Sequence, residues 1–158
     1  MAGNIFLQIE GVKGECTEKN HTDWIDVMSY TEGLHHSNSS GYGGGGGVGS
    51  AMYQDFVVNC QLEKAIPVLM YGCAGNKEYK KAKLHATKME GTQSWNYLEI
   101  TMEEVLVSSV QFSGSENQIP MVSIALSFKK IKTEYFLQGA GGAQGASTNA
   151  EWDQKLNK

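Results

Sequence analysis

The chain has 158 residues, 41% of them hydrophobic and 19% charged, with a formal net charge of -4 and a pI near 5.5. That length suits one compact domain, and the composition argues against a disordered or membrane-spanning chain. The acidic balance, with no basic run longer than two lysines, disfavours nucleic acid and anionic membrane surfaces as partners.

Alternating apolar and polar residues predict strands along most of the chain. The predicted strands span residues 5–9, 23–34, 55–62, 81–88, 95–102, 105–112 and 121–137. Seven or eight strands joined by short turns predict a mainly β fold, either a barrel or a sandwich.

A glycine-rich loop is predicted between the second and third strands, over residues 37–53, with five consecutive glycines at its centre. Glycine gives the backbone freedom, so such a run is either a flexible tip or a place of close approach to another surface. A phosphate cradle would need a following Gly-Lys-Ser/Thr and a helix start, which this loop lacks. Contact with another protomer is the favoured interpretation.

One short helix is predicted at residues 66–74, with Pro67 in the first helical position and Gly75-Asn76 as the stop. A strand over residues 68–73 is the alternative, because the apolar run is short. Beyond it, the Gly/Ala/Ser/Gln composition of residues 138–148 predicts a mobile or loosely placed linker. Trp152 so near the end predicts that the terminal segment docks on its own domain or on a neighbour.

The chemically reactive side chains do not form a recognisable catalytic or metal-binding motif. Cys16, Cys60 and Cys73 are odd in number and fit neither a disulfide framework nor a zinc site, so reduced thiols are expected. The four histidines are interpreted as ordinary polar or turn residues, and Glu103-Glu104 as a solvated turn. We therefore expect no catalytic residues, no metal and no cofactor.

The start of the chain lacks the charged and apolar regions of a secretory signal, and no window approaches 18 apolar residues. We therefore expect neither classical export nor membrane insertion. An extracellular destination would need a dedicated route.

Six segments, in order along the chain, resemble the haemolysin-coregulated protein (Hcp) family, the tube proteins of bacterial type VI secretion. The segments are 14–15, 21–27, 43–47, 64–69, 105–110 and 126–135. The resemblance implies a small closed β-barrel of two packed antiparallel sheets with one short flanking helix. It divides the chain into a barrel domain, residues 1–137, and a Gly-rich tail, residues 138–158.

The resemblance also implies a function without catalysis. Six copies would form a ring, and rings would stack into a hollow tube that a contractile sheath expels, with effector cargo protected in the lumen. The implied partners are other copies of the chain, the sheath and spike proteins, and secreted effectors. The implied location is cytoplasmic before firing and secreted, or delivered into a target cell, afterwards.

Site residues follow from the same resemblance. The expected ring-stacking and subunit contacts are Tyr42, Gly43, Gly44, Gly45, Gly46, Gly47, Val48, Met52 and Tyr53. Ser29 and Thr31 are the candidate lumen-facing positions. Ile66 stands where family members often carry a Ser or Thr cap, so a frayed helix start is expected.

Two other functions stay open at the level of sequence. One is a small-molecule-binding β-barrel with the Gly-rich loop as a lid. The other is a hydrolase that uses His21 or Glu103.

Overall fold

The computed structural model describes residues 3–36, 50–142 and 144–158. These residues form eleven strands, one α-helix and a short 3₁₀ turn at Ala140–Gly142. The strands are β1 (Ile5–Ile9), β2 (Ile25–Val27), β3 (Ser29–Thr31), β4 (Leu34–His36), β5 (Ala51–Tyr53), β6 (Phe56–Gln61), β7 (Glu78–Glu90), β8 (Gln93–Ser113), β9 (Met121–Ser127), β10 (Lys130–Gln138) and β11 (Gln144–Asp153). The helix is α1 (Ala65–Ala74). The predicted contact residues 42–48 lie outside the described part of the chain.

The described strands build a nine-stranded antiparallel sheet and a separate two-stranded ribbon, β4–β5. The main sheet runs β2-β1-β7-β8-β9-β6-β3, and β10 pairs with both β8 and β11. Its two ends, β2 and β3, are consecutive pieces of one segment on either side of Met28, whose amide donates to the Asn59 carbonyl at 2.8 Å. The two end strands of the sheet are therefore joined covalently through Met28. The predicted mainly β class, with two sheets and one helix, is confirmed.

Strand β8 is one continuous element of 21 residues where the sequence predicted two strands and a turn. Glu104 adopts a left-handed conformation, with φ at 53°. Its neighbours nevertheless keep their pairing with β7, since Glu103 lies opposite Lys81 and Val105 opposite Tyr79. The Glu103-Glu104 turn was therefore a wrong prediction. These residues mark a bend where β8 changes its second partner from β10 to β9.

Two predicted strands are instead interrupted. Residues 121–137 divide into β9 and β10 at Phe128-Lys129, and residues 23–34 divide into β2 and β3 at Met28. In both cases the chain passes from one partner strand to another. A continuous apolar pattern conceals such a change, because both pieces bury the same kinds of side chain.

The start of α1 also differs from the prediction. The helix begins at Ala65 with Lys64 as N-cap, which makes no side-chain capping bond. Pro67 is therefore the third helical residue, where its missing amide costs no intrahelical bond because the first four amides have no helical acceptor. Ile66 is not a cap but a fully buried core residue. At the other end, the Gly75 amide donates to the Tyr71 carbonyl at 3.0 Å.

The core lies between the inward faces of the main sheet and α1. Alternate residues of the strands point into it, as a half-buried strand requires. Its largest fully buried side chains are Leu7, Ile9, Ile25, Phe56, Val58, Ile66, Leu69, Leu84, Ile100, Met102, Ile124 and Leu126. The interior of the described sheet is thus filled by side chains.

Residues 144–153 of the tail form a strand, which corrects the predicted linker over residues 144–148. Strand β11 pairs with β10 from Lys130↔Asp153 to Phe136↔Ser147. Trp152 lies opposite Ile131 and packs against the core. Most β11 side chains are exposed, so the sequence here lacks the alternation of apolar and polar residues that predicts a strand. The hydrogen bonds of β10 hold this segment in place.

Candidate interaction surfaces

The ribbon β4–β5 flanks the glycine-rich segment and places two of the predicted contact residues differently. Met52 lies opposite His35 and is 50% exposed, whereas Tyr53 lies opposite Leu34 and sets its ring 5.6 Å from that of Phe128 in an edge contact. Tyr53 therefore anchors the ribbon to the domain. Met52 is the exposed member of the pair. Both residues belong to a strand, although the sequence predicted a loop through residue 53.

Ser29 and Thr31 share the exposed face of β3. Tyr30 lies between them and stacks its ring on Phe56 at 5.8 Å, so the opposite face of the strand is the buried one. The Ser29 hydroxyl accepts a hydrogen bond from the Asn59 amide at 3.0 Å. Both candidate positions thus point away from the core, which the alternation alone could not decide.

These two residues begin a continuous uncharged face across four strands. One row joins Ser29, Asn59, Ser123 and Gln111 on β3, β6, β9 and β8. The next row joins Thr31, Val57, Ala125 and Ser109. We call these eight residues the uncharged face. The sequence could not reveal it, because its members are scattered between residues 29 and 125 and only strand register aligns them.

His21 and His85 meet in a buried cluster that sequence reasoning missed, because 64 positions separate them. His21 is 3% exposed, its Nδ1 lies 2.5 Å from Glu18 Oε2, and its Nε2 lies 3.1 Å from His85 Nδ1. Its ring stacks on Phe6 at 4.2 Å and meets Trp24 edge-on at 4.7 Å. His21 is therefore a buried structural residue rather than an ordinary turn histidine, and His85 is its partly buried partner.

The surroundings of His85 favour the neutral form of its side chain over the charged form. Burial lowers the pKa of His85 from 6.5 to about 4, and the neighbouring Glu99 carboxylate opposes that shift only in part. Burial likewise raises the pKa of the Cys60 thiol to about 11, which leaves it unreactive. Within the described residues, no group of three or more His, Cys, Asp or Glu side chains is arranged to hold a metal ion.

His21 and Glu103, the alternative catalytic residues of the hydrolase hypothesis, lie in different surroundings. Glu99 lies opposite His85, whereas Glu103 lies four residues further along β8, which is about 13 Å at the rise of a strand. The Glu103 carboxylate is 3.7 Å from the Lys81 ammonium. Ser108 donates to Asp55 at 2.6 Å, and no histidine bonds to either of them in the described contacts.

Comparison with known proteins gives the family. The profile of the family described as type VI secretion system effector, Hcp, matches residues 6–135. The hcp1 protein of Pseudomonas aeruginosa is 37% identical, over 99% of this chain and 98% of that protein. Hcp1 of Salmonella typhimurium superposes with a TM-score of 0.84 at 29% identity, over 100% of this chain and 99% of that one.

A further solved structure, of a type six secretion system protein, shares the fold with a TM-score of 0.89 at 23% identity over 99% of each chain. Fold and match together define a protein of the type VI secretion system. The chain belongs to the Hcp family, as the sequence resemblance predicted. Its role is that of a structural component of the type VI secretion tube. Among the described residues, no helix has the length and apolar character to span a membrane.

Proposed function

We propose that six copies of this chain close into a ring and that rings stack into a hollow tube, which a contractile sheath expels. The observation that carries the proposal is the full-length similarity to the hcp1 protein of Pseudomonas aeruginosa, at 37% identity. The chain makes and breaks no bonds in this function and needs no cofactor. Before firing it resides in the cytoplasm, and afterwards it is outside the cell or inside a target cell.

An open sheet edge supports ring closure. Strand β11 pairs only with β10 among the described strands, so its outer edge is open as far as Trp152, after which the Asp153 amide and carbonyl bond to Lys158. The same two patches on each copy, joined head to tail, close a ring when the rotation between neighbours fits. We infer that the tail, residues 138–158, contributes to this contact as well as to its own domain.

The uncharged face suits the wall of the tube. Its eight side chains are small or polar and none is ionisable, and a cleft of about 300 Å³ lies beside Asn59, Gln111 and Ser123. Cargo passing such a wall meets no fixed charge that would hold it. We therefore propose that Ser29 and Thr31 face the lumen and touch secreted effectors.

The ribbon and its loop supply the contact between rings. Met52 presents an exposed side chain next to the glycine-rich segment, while Tyr53 fixes the base of the ribbon on Phe128. We propose that Tyr42, Val48 and Met52 dock on the adjacent ring, and that the glycines from Gly43 to Gly47 let the backbone lie close. The sheath and spike proteins are the further partners.

The test is the size and shape of the purified protein. Light scattering after size exclusion should give a mass near six times 17.2 kDa, and negative-stain images should show rings with a central hole. A strictly monomeric protein at high concentration, without annular particles, contradicts the proposal.

A further inference from the structure

The C-terminal segment holds the break between β9 and β10. Strand β9 ends at Ser127 and β10 begins at Lys130, so Phe128 and Lys129 belong to neither strand. Gln154 binds the carbonyls of both residues: its backbone amide donates to Lys129 at 2.7 Å, and its side-chain amide donates to Phe128 at 2.7 Å. Because a carbonyl only accepts, the side-chain atom that faces Phe128 is the amide nitrogen. One residue of the tail thus fixes the peptide planes on both sides of Lys129.

Gln154 is itself held by a closed turn at the end of the described chain. Asp153 and Lys158 exchange backbone hydrogen bonds at 2.8 Å and 3.3 Å. The Asp153 carboxylate accepts from two backbone amides of the same turn, at 2.9 Å and 3.2 Å, and lies 3.7 Å from the Lys130 ammonium at the start of β10. Gln154 therefore approaches the break from a defined position.

Phe128 connects this break with the ribbon β4–β5. Its side chain is 7% exposed and belongs to the main core, and its ring lies 5.6 Å from that of Tyr53. Strand β4 is exposed along its length, and neither β4 nor β5 pairs with the main sheet. The Gln54 amide donates to the Gly33 carbonyl at 2.9 Å, which closes the base of the ribbon but joins it only to itself. The ribbon is therefore seated on the core chiefly through Tyr53.

We propose that Gln154 is a positioning residue for the ribbon: it holds the Phe128 carbonyl, Phe128 seats Tyr53, and this contact fixes the ribbon. The end of the tail then decides how firmly the ribbon is held. The consequence for stacking rests on the proposed function, in which the ribbon docks on the adjacent ring. The seat of the ribbon is a property of one copy, so it can be measured whether or not rings form.

The test is hydrogen exchange of the full chain, read by mass spectrometry on peptic peptides. Gln154→Met keeps a side chain of similar length and removes its donor, while the backbone bond to Lys129 stays. Loss of one hydrogen bond changes a local opening equilibrium on the order of two- to tenfold. We expect exchange over residues 51–55 to be faster by that factor in Gln154→Met, with exchange over β6 and β7 unchanged.

Gln144→Met is the matched control. Gln144 is also a glutamine of the tail, and its side-chain amide also donates to a backbone carbonyl, that of Asn96 at 3.1 Å. Because that bond lies at the other end of β11, ribbon exchange should stay at the wild-type rate. Unchanged ribbon exchange in Gln154→Met, an equal rise in Gln144→Met, or a rise that extends through β6 and β7 each overturns the positioning role.

Tyr53→Ala tests the route through Phe128. In a protein that already carries this change the ribbon has lost its seat, so adding Gln154→Met should change ribbon exchange by less than about twofold. Two effects that multiply in full would show that Gln154 acts on the ribbon by another path, and would overturn the proposed route.

Electron microscopy gives the readout for assembly. In negative stain, Gln154→Met should form rings of the wild-type mass with on the order of threefold fewer stacks, while Gln144→Met stacks as the wild type does. Wild-type stacking in Gln154→Met, together with faster ribbon exchange, would show that the seat of the ribbon does not govern docking. Absence of stacks in the wild type contradicts the stacking proposal itself, and the exchange measurement still decides the role of Gln154.

Discussion

At the scale of single residues, Gly72 has no room for a methyl group. A Cβ there would overlap the hydroxyl of Tyr79, which is 3% exposed. Alanine gains about 1 kcal/mol of helix propensity, but overpacking against a rigid buried ring costs roughly 1 to 3 kcal/mol. We expect Gly72→Ala to lower the free energy of unfolding by about 1 kcal/mol in urea titrations. Gly75→Ala, with ordinary space and φ at -87°, is the matched control and should be nearly neutral.

His85 gives a pH dependence of stability whose sign is fixed by its lowered pKa. Between 6.5 and about 4 the unfolded chain binds a proton that the folded chain refuses, so the contribution of His85 is full above pH 6.5 and is lost as pH falls. Burial raises the pKa of the Glu32 and Glu63 carboxyls, which act in the opposite direction, so the comparison is with His85→Gln. The urea midpoint of the wild type should fall more steeply than that of the variant over this range, and parallel slopes would contradict the assignment.

At the scale of elements, the bend of β8 depends on one left-handed residue. A non-glycine residue at φ 53° costs roughly 1 to 3 kcal/mol, and glycine removes that cost while adding chain entropy of about 0.5 to 1 kcal/mol to the unfolded state. The ion pair of Glu104 with Lys129, at 3.8 Å and about half exposed, adds little. We expect Glu104→Gly to be neutral or stabilising and Glu103→Gly, in extended backbone, to cost about 1 kcal/mol in thermal unfolding. The reverse order would show that the bend is not strained.

The elements predicted well from sequence are those in which packing and pattern agree. Strand β6 and the middle of β7 alternate clearly because one face is buried in the core. Strand β11 was missed because hydrogen bonds to β10 hold a segment whose side chains face solvent. The His21–His85 cluster and the uncharged face were missed for a related reason, since only register across the sheet assembles them.

At the scale of the whole molecule, the stacking proposal predicts a selective effect of Met52. An aspartate on the exposed face of β5 should leave folding and ring mass unchanged, because Met52 is 50% exposed and Tyr53 still anchors the ribbon. It should prevent docking of a second ring, since a charge would lose its hydration there. Met52→Asp should therefore give single rings in negative stain under conditions in which the wild type forms stacks.

Met70→Asp is the matched control, because Met70 is 41% exposed on α1, away from the ribbon. Stacks in Met52→Asp, or their equal loss in Met70→Asp, would remove the ribbon from the proposed contact.

Family and fold class were accessible from the sequence at this scale. Six short segments in the same order predicted the family, and the alternation of apolar and polar residues predicted the mainly β class. The path of the sheet was not accessible, because the breaks at Met28 and at Phe128-Lys129 look like continuous strand in composition.

Strand β11, the last of the described strands in chain order, also forms the free edge of the sheet. Residues 98–103 of β8 pair with β10, and β10 pairs with β11, so this edge is complete only once residue 153 has been synthesised. A polypeptide that is truncated or still being synthesised therefore lacks the edge through which we propose that neighbours join. Unfinished subunits would be excluded from assembly by their own geometry, without a separate proofreading step.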